Sequence, residues 1–260
     1  SIVTPLKDRI DSQIITHYPK SIEIGKKITQ QEAQLEPEQQ RVQSFELAKD
    51  LVEQIAFEAR ESEYVDAKSG VSARLTISAY ENLISAAERR MFKNKAEKTT
   101  VRVADFVGVI PAITGKVELV YEGEQEGPGI VAANLISKAI RTQFVNFFPD
   151  PEEIRKSKKR DNPYQVISEW FGKGNMVDIM LDASDADYSS CLNSVPGLAD
   201  LVNKKHKKES EAYRLFLMEL ALHGLAEYSV LSKHTLDEGL QFKDLISSMF
   251  NIEDHTAEDI

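Results

Sequence analysis

Long segments in which apolar residues recur at helical spacing constrain this fold more than any other feature. In residues 73–92 the apolar side chains repeat every three to four positions, and the same spacing recurs in 38–63, 130–148 and 209–231. Each segment can therefore bury one face of a helix against its neighbours. The 12 glycines and 9 prolines interrupt few of the 260 positions. The pattern predicts a mainly α fold.

Shorter elements are predicted from local signals. A short helix that carries Arg9 is expected within residues 4–10, followed by a strand at 13–18. A further helix is expected at 104–113, and residues 116–121 fit either a strand or a helix, of which the helix is preferred because the neighbouring segments are helical. We expect a last amphipathic helix to contain Phe242, Leu245, Ile246 and Met249, as apolar residues follow helical spacing there.

Charge and composition exclude several classes of function. The formal net charge is −10, and a nucleic-acid partner is not expected because phosphate contacts need a basic face. No apolar run approaches the roughly 20 residues of a membrane span, so no membrane partner is expected. Cys191 is the single cysteine and permits no internal disulfide, which fits a reducing cytoplasm. We therefore predict a cytoplasmic protein.

A proline-flanked, highly charged segment at residues 150–163 marks the expected domain boundary. Basic runs at 155–160 and 204–208 contain no interleaved aromatic residues, and we interpret them as solvated charge rather than as a nucleic-acid surface. The region beyond residue 149 is expected to be a separate helical region.

One spacing on a helix is compatible with part of a metal site. Glu219, His223 and Glu227 follow one another at intervals of four residues. A single helix supplies at most part of a coordination shell, so we expect a surface histidine with ion-pair neighbours and no metal site. Cys191 has no evident His or Asn partner, and we expect a buried or idle thiol.

Two arginines are the candidate site residues. Arg9 is expected at a helix end before a strand, and Arg74 in the first turn of the helix at 73–92. The helix dipole is positive at that end and prefers acids, so a cation there suggests an approaching anion such as phosphate. The alternative for both arginines is a solvated side chain or a local ion pair, for instance of Arg9 with Asp8 or Asp11.

Residues 1–93 resemble the carboxyl-terminal part of an AAA+ ATPase of the magnesium chelatase (subunit I-like) and MoxR-like group. Residues 5–10, Pro-Leu-Lys-Asp-Arg-Ile, are similar to the segment that follows the sensor-1 strand and carries the arginine finger. The resemblance implies that Arg9 is the catalytic finger. Residues 69–74, Ser-Gly-Val-Ser-Ala-Arg, are similar to the sensor-2 motif. The resemblance implies that Arg74 contacts a nucleotide phosphate.

The resemblance also implies an architecture. Residues 1–20 are expected to be a remnant of the α/β ATPase core, with the arginine-finger helix and the last strand. Residues 21–148 are expected to be an AAA+ helical lid with the sensor-2 helix and extensions, although the likeness is less specific after residue 93. Residues 149–260 are expected to be a partner-binding helical region, which the resemblance does not cover.

The implied parent is a ring-forming ATPase that couples ATP hydrolysis to remodelling or metal loading of a partner. Its cofactors are ATP and Mg²⁺, and its partners are other subunits of the ring and an unknown client or von Willebrand-type protein. This chain contains no phosphate loop of the form GxxxxGK[ST] and starts without Met, so we expect the rear part of a longer protein. We predict that the chain alone holds no cofactor and hydrolyses no ATP. The alternative is a non-enzymatic helical interaction module.

Overall fold

The computed structural model describes residues 9, 12, 14–157 and 162–245 of the chain. In these ranges the chain is mainly helical, as predicted, with eleven α-helices, two 3₁₀ helices and five short strands. Within the described residues, no helix combines the length and apolar character needed to cross a bilayer.

The helices are distributed along the whole described chain. They are α1 Ile22–Glu32, α2 Glu46–Glu61, α3 Arg74–Lys93, α4 Ile110–Thr114, α5 Tyr121–Glu126, α6 Pro128–Phe147, α7 Pro151–Ser157, α8 Gln165–Gly172, α9 Asp185–Asn193, α10 Leu198–His206 and α11 Glu211–Glu227. A first 3₁₀ helix covers Pro37–Arg41 and a second covers Ala104–Val109.

The strands form two small sheets. Strands β1 (Val42–Gln43) and β2 (Thr99–Thr100) pair in parallel. Strands β3 (Val177–Met180), β4 (Leu231–Leu236) and β5 (Gly239–Asp244) form an antiparallel sheet in the order β3-β5-β4. The sequence pattern predicts a purely helical region after residue 149. This prediction is wrong, because the region contains the three-stranded sheet.

Helices α1, α2 and α3 pack on one another as a bundle. Ser21 caps α1, its hydroxyl accepting a hydrogen bond from the Ile24 amide at 3.3 Å. Helix α2 buries Leu51 and Ile55 completely, and α3 buries Leu83 completely. Each such side chain stabilises the fold by about 1.5–3 kcal/mol relative to its exposed state. The apolar stripes of the sequence therefore form the interior of the bundle.

Helix α6 joins this bundle to the later helices, since it packs on both α2 and α11. The contact with α11 is very close: a Cβ atom at Gly224 would lie 2.0 Å from Cδ2 of Phe144. Buried apolar residues from Val42 to Phe242 form one continuous cluster. The predicted lid and the predicted partner-binding region thus share a core, and their division at residue 149 stays a prediction.

Several predicted elements differ from the observed ones. A strand was predicted at residues 13–18, but residues 14–18 have no regular secondary structure, and residue 13 lies outside the described residues. The helix predicted at 38–63 begins only at Glu46, because Val42 pairs with Thr99 in the β1–β2 ladder. The helix predicted at 104–113 consists of the second 3₁₀ helix followed by α4.

Two other predicted helices are wrong. In residues 116–121, helix α5 begins only at Tyr121, and Leu119 instead forms an isolated bridge with Val65. The last predicted helix is replaced up to residue 244 by β5, in which Leu240 and Phe242 are buried with the period of two typical of a strand. Ile246 and Met249 of that prediction lie outside the described residues.

Candidate functional site

Arg9 lies in a turn, and its side chain is exposed. The residues on either side of it, including Asp8 and Asp11, lie outside the described residues. The short helix predicted around Arg9 and its possible ion pairs therefore stay predictions.

Arg74 is the first residue of α3, and its side chain is exposed. Its backbone amide donates a hydrogen bond to the Ser72 hydroxyl at 3.3 Å. The first turn of α3 contains no acidic residue, and Ala73 at the N-cap has no side chain that could accept a bond from the helix amides. The Arg74 guanidinium makes no hydrogen bond or ion pair with another described residue. A free cation therefore lies beside the electropositive end of a helix whose N-cap residue offers no side-chain acceptor.

The loop that leads into α3, residues 66–74, is called the Arg74 turn below. Asp66 closes its start, since its carboxylate accepts hydrogen bonds from the Lys68 amide and the Ser69 hydroxyl, both at 2.9 Å. Gly70 has a φ of +72°, and a Cβ atom there would lie 2.3 Å from the Tyr18 hydroxyl. The turn therefore needs glycine both for its left-handed backbone and for the close approach of Tyr18.

Tyr18 ties the segment before α1 to the Arg74 turn. Its hydroxyl accepts a hydrogen bond from the Val71 amide at 2.9 Å. The Arg60 guanidinium lies 4.4 Å from the centroid of the Tyr18 ring, and its Nε and Nη2 atoms donate to the Val71 carbonyl at 3.4 Å. The segment that leads away from Arg9 is thus held at the same end of the bundle as Arg74.

A second group of charged residues is buried between α3, α9 and α11. This buried ionic cluster consists of Arg90, Arg102, Asp105 and Glu219, and the carboxylate of Asp185, whose side chain is 69% exposed, pairs with it from the surface. Arg90 and Asp105 form an ion pair at 2.8 Å, and their side chains are 3% and 5% exposed. Arg90 also donates to the Thr99 hydroxyl at 2.8 Å. A pair so well hydrogen-bonded is costly to break, because the remaining charge is left buried.

Arg102 links the second 3₁₀ helix to α9. It donates to the Ala183 carbonyl at 2.8 Å and to an Asp185 carboxylate oxygen at 2.6 Å. Its guanidinium carbon lies 4.0 Å from the centroid of the Tyr188 ring. The nitrogens of this guanidinium therefore form hydrogen bonds, while its face packs on the Tyr188 ring.

Glu219 is fully buried and holds the start of the second 3₁₀ helix. Its carboxylate accepts hydrogen bonds from the Val103 amide at 2.7 Å, the Ala104 amide at 2.8 Å and the Tyr188 hydroxyl at 2.7 Å. Burial raises the pKa of Glu219 to about 7, although these three bonds favour the ionised form. One carboxylate thereby joins three separate parts of the chain.

His223 of α11, predicted to be a surface histidine, is in fact buried. The two ring nitrogens of His223 have no hydrogen-bond partner among the described residues, and burial lowers its pKa well below 6.5. Its Nε2 atom lies 3.9 Å from Glu219. Glu227, the third member of the spacing, pairs instead with Lys233 at 2.6 Å. No group of three potential metal ligands occurs in the described part of the chain.

Cys191 and the two basic runs have ordinary surroundings. The Cys191 thiol is half-buried, donates to the Asp178 carbonyl at 3.3 Å, and has a pKa that burial raises to about 11. A thiol with such a pKa is a poor nucleophile at neutral pH. In the basic run at 204–208 the four lysines are exposed, and residues 158–160 of the other basic run lie outside the described residues.

A cleft of about 1140 Å³ opens beside the buried ionic cluster. The first 3₁₀ helix, β1 and β2 form one wall, and α9 and α11 form the other. Its lining combines cations, carboxylates, amides and hydroxyls with an apolar surface: Gln40, Arg41, Gln43, Lys98, Thr99, Thr100, Arg102, Asp185, Ala186, Tyr188, Ser189, Ser190, Glu211, Ala212 and Leu215. This cleft was not predictable from the sequence, because its walls come from distant parts of the chain.

Comparisons with known proteins assign no family to the chain. No protein-family model matches it, and searches of curated proteins and of solved structures return no significant match.

Proposed function

We propose that this chain is the lid and C-terminal helical part of a cytoplasmic, ring-forming AAA+ ATPase that resembles the magnesium chelatase ATPase subunit. The intact protein couples ATP hydrolysis to remodelling or metal loading of a partner protein. One observation carries the proposal: Arg74 is exposed and unpaired among the described residues, at the bundle end to which Tyr18 ties the segment following Arg9.

The chemistry of Arg74 suits contact with a phosphate. A guanidinium is always charged at neutral pH and can donate to two phosphate oxygens at once. The positive end of the α3 dipole adds to the attraction, because a helix N-terminus favours anions. A nucleotide held between Arg74 and an ATPase core would make the position of the bundle depend on the bound phosphates. In this proposal Arg74 is the sensor-2 residue.

Two exposed isoleucines in the segment between Arg9 and α1 support the proposal that a sheet continues from this segment. Ile14 is 87% exposed and Ile15 is 85% exposed. Consecutive side chains of a strand point to opposite faces. A sheet buried on both faces, as in α/β proteins, would cover both isoleucines at once. We propose that this segment, which has no regular secondary structure in the described chain, becomes the last strand of the ATPase core in the intact protein.

Arg9 is proposed as the arginine finger that one subunit supplies to the nucleotide of its neighbour in the ring. Phosphoryl transfer builds negative charge on the γ-phosphate oxygens, and an arginine stabilises that charge. ATP and Mg²⁺ would be bound by the intact protein, whose other partners are a client or a von Willebrand-type protein.

The proposal is tested on the full-length product of the gene that encodes this chain. Arg74→Ala should lower ATP turnover at least about tenfold, since it removes a charge-assisted contact to phosphate. Arg89→Ala is the matched control, because Arg89 is exposed on the same helix about 22 Å away at 1.5 Å per residue. Arg89→Ala should leave turnover unchanged.

Arg9→Ala should abolish turnover while nucleotide binding survives, since arginine fingers in GTPases contribute on the order of 10³–10⁵ in rate. Equal turnover of the Arg74 and Arg89 variants would contradict the role of Arg74. A full-length product without a phosphate loop or ATPase activity would favour the non-enzymatic interaction module instead.

A further inference from the structure

The cleft beside the buried ionic cluster has a rigid wall. Arg102, which lines it, is only 3% exposed and is fixed by the Ala183 carbonyl and the Asp185 carboxylate. Tyr188, which also lines it, is held from behind by its hydrogen bond to Glu219. The shape of this wall is thus set before any partner arrives, which lowers the entropic cost of binding.

The opposite wall presents two exposed cations. Arg41 is braced in place, because its Nε atom donates to the Glu38 carbonyl at 3.1 Å and its guanidinium lies 5.5 Å from the Phe92 ring centroid. Its two terminal nitrogens stay available to a ligand. Lys98 is exposed near it in the same lining. Neither cation has a carboxylate partner among the described residues, although the chain carries a net charge of −10.

An apolar surface lies across the cleft from these cations. Ala186 and Tyr188 contribute it from α9, and Ala212 and Leu215 contribute it from α11. Such a surface can bury an aliphatic side chain, at about 25 cal/mol per Å² of apolar area removed from water. The amides of the lining glutamines can in turn bond to a peptide backbone.

We propose that this cleft binds an extended peptide segment of a partner protein in which an acidic residue neighbours an aliphatic one. The acidic side chain would pair with Arg41 and Lys98, and the aliphatic side chain would cover Leu215 and Tyr188. The cleft of about 1140 Å³ is slightly larger than the roughly 300–1,000 Å³ of ordinary small-molecule pockets, so it has room for a short peptide. Asp185 and Glu211 in the lining oppose a nucleic-acid strand.

The test is a selection of about twelve-residue peptides from a random displayed library against this chain. Enriched peptides should carry Asp or Glu beside Leu, Ile or Val. Their affinity should fall about tenfold or more with the double variant Arg41→Glu/Lys98→Glu, because both pairings become repulsive. The double variant Lys207→Glu/Lys208→Glu makes the same change of charge on exposed lysines outside the cleft and should leave affinity unchanged.

A second measurement locates the bound peptide. An enriched peptide should slow amide exchange in β2 and α9, and Ala186→Arg, at an exposed position of the lining, should weaken its binding without changing the unfolding transition. Enrichment of basic peptides would overturn the proposal, and so would binding that survives the cleft variants. Competition by inorganic phosphate or by a short single-stranded oligonucleotide, lost in the Arg41→Glu/Lys98→Glu variant, would also overturn it. The outcome does not depend on whether the parent protein hydrolyses ATP.

Discussion

The Arg74 turn and the buried ionic cluster use arginine in opposite ways. Arg74 is exposed and has no partner among the described residues, while Arg90 and Arg102 are each 3% exposed in their side chains and fully engaged. A free guanidinium contributes little to folding and stays available to a ligand, whereas a buried, paired one is needed for the fold. Arg74 and Arg90 belong to the same helix, so the position along α3 decides whether an arginine stays free for a ligand or stabilises the fold.

The largest effect is expected from the buried pair. Arg90→Met leaves Asp105 charged and buried without its ion-pair partner, which should lower the free energy of unfolding by about 3–5 kcal/mol. Chemical denaturation measures the loss. Arg89→Met, at the exposed neighbouring position, should change the stability by less than about 0.5 kcal/mol. Similar losses in the two variants would remove the distinction between buried and exposed arginines.

The next effect concerns pH, because Glu219 and His223 titrate in opposite senses. Burial raises the pKa of Glu219 from 4.5 to about 7 and lowers that of His223 well below 6.5. Because the native state holds the Glu219 proton up to about pH 7, the contribution of Glu219 to the free energy of unfolding falls as pH rises toward 7. A lowered imidazole pKa makes its contribution rise with pH up to 6.5. In the wild type the two trends therefore oppose each other below pH 6.5.

Single substitutions should separate these two trends. His223→Gln should lose about 2 kcal/mol of unfolding free energy as pH rises from about 5 to 6.5, because only the raised pKa of Glu219 then acts. Glu219→Gln should instead gain stability as pH rises toward 6.5, because only the lowered pKa of His223 then acts. This variant is less stable throughout, because its amide group faces backbone donors. Urea denaturation at several pH values measures both slopes. Profiles parallel to wild type in both variants would contradict the assigned titrations.

A smaller effect is expected where Tyr18 meets the Arg74 turn. Tyr18→Phe keeps the ring beneath Arg60 but removes the acceptor of the Val71 amide bond, so it should cost about 0.5–1.5 kcal/mol. Amide exchange at Val71 should accelerate, because the bond that protects it is absent. Exchange at Val103, whose amide bonds to Glu219, serves as the control and should not change. Unchanged exchange at Val71 would argue against the link between Tyr18 and this turn.

Helices with strong local signals were predictable from the sequence. Residues 73–92 correspond to α3, Arg74–Lys93, and residues 130–148 to α6, Pro128–Phe147. Their apolar spacing is long and uninterrupted, so neighbouring residues suffice to define them. Pro128 and Pro149 mark the limits of α6, since proline fits a first helical turn and terminates a last one.

The hairpin of β4 and β5 was not predictable in the same way. Its apolar residues fit both a strand and a helix in so short a segment, and pairing with β3 decided the outcome. The buried ionic cluster was also missed, because Glu219 and Val103 are 116 positions apart in the chain. One signal was present: Glu219 is a lone acid within the apolar run of residues 215–222. Such an acid needs buried partners.

The role of Arg74 is tested most directly by amide exchange in the full-length protein, with and without Mg²⁺ and a non-hydrolysable ATP analogue. We expect the analogue to slow exchange in the Arg74 turn and the first turn of α3, while exchange at Val103 and Ala104 stays unchanged. Arg74→Ala should abolish that protection. Bound analogue with no change of exchange in the Arg74 turn would contradict the proposal that Arg74 senses the nucleotide.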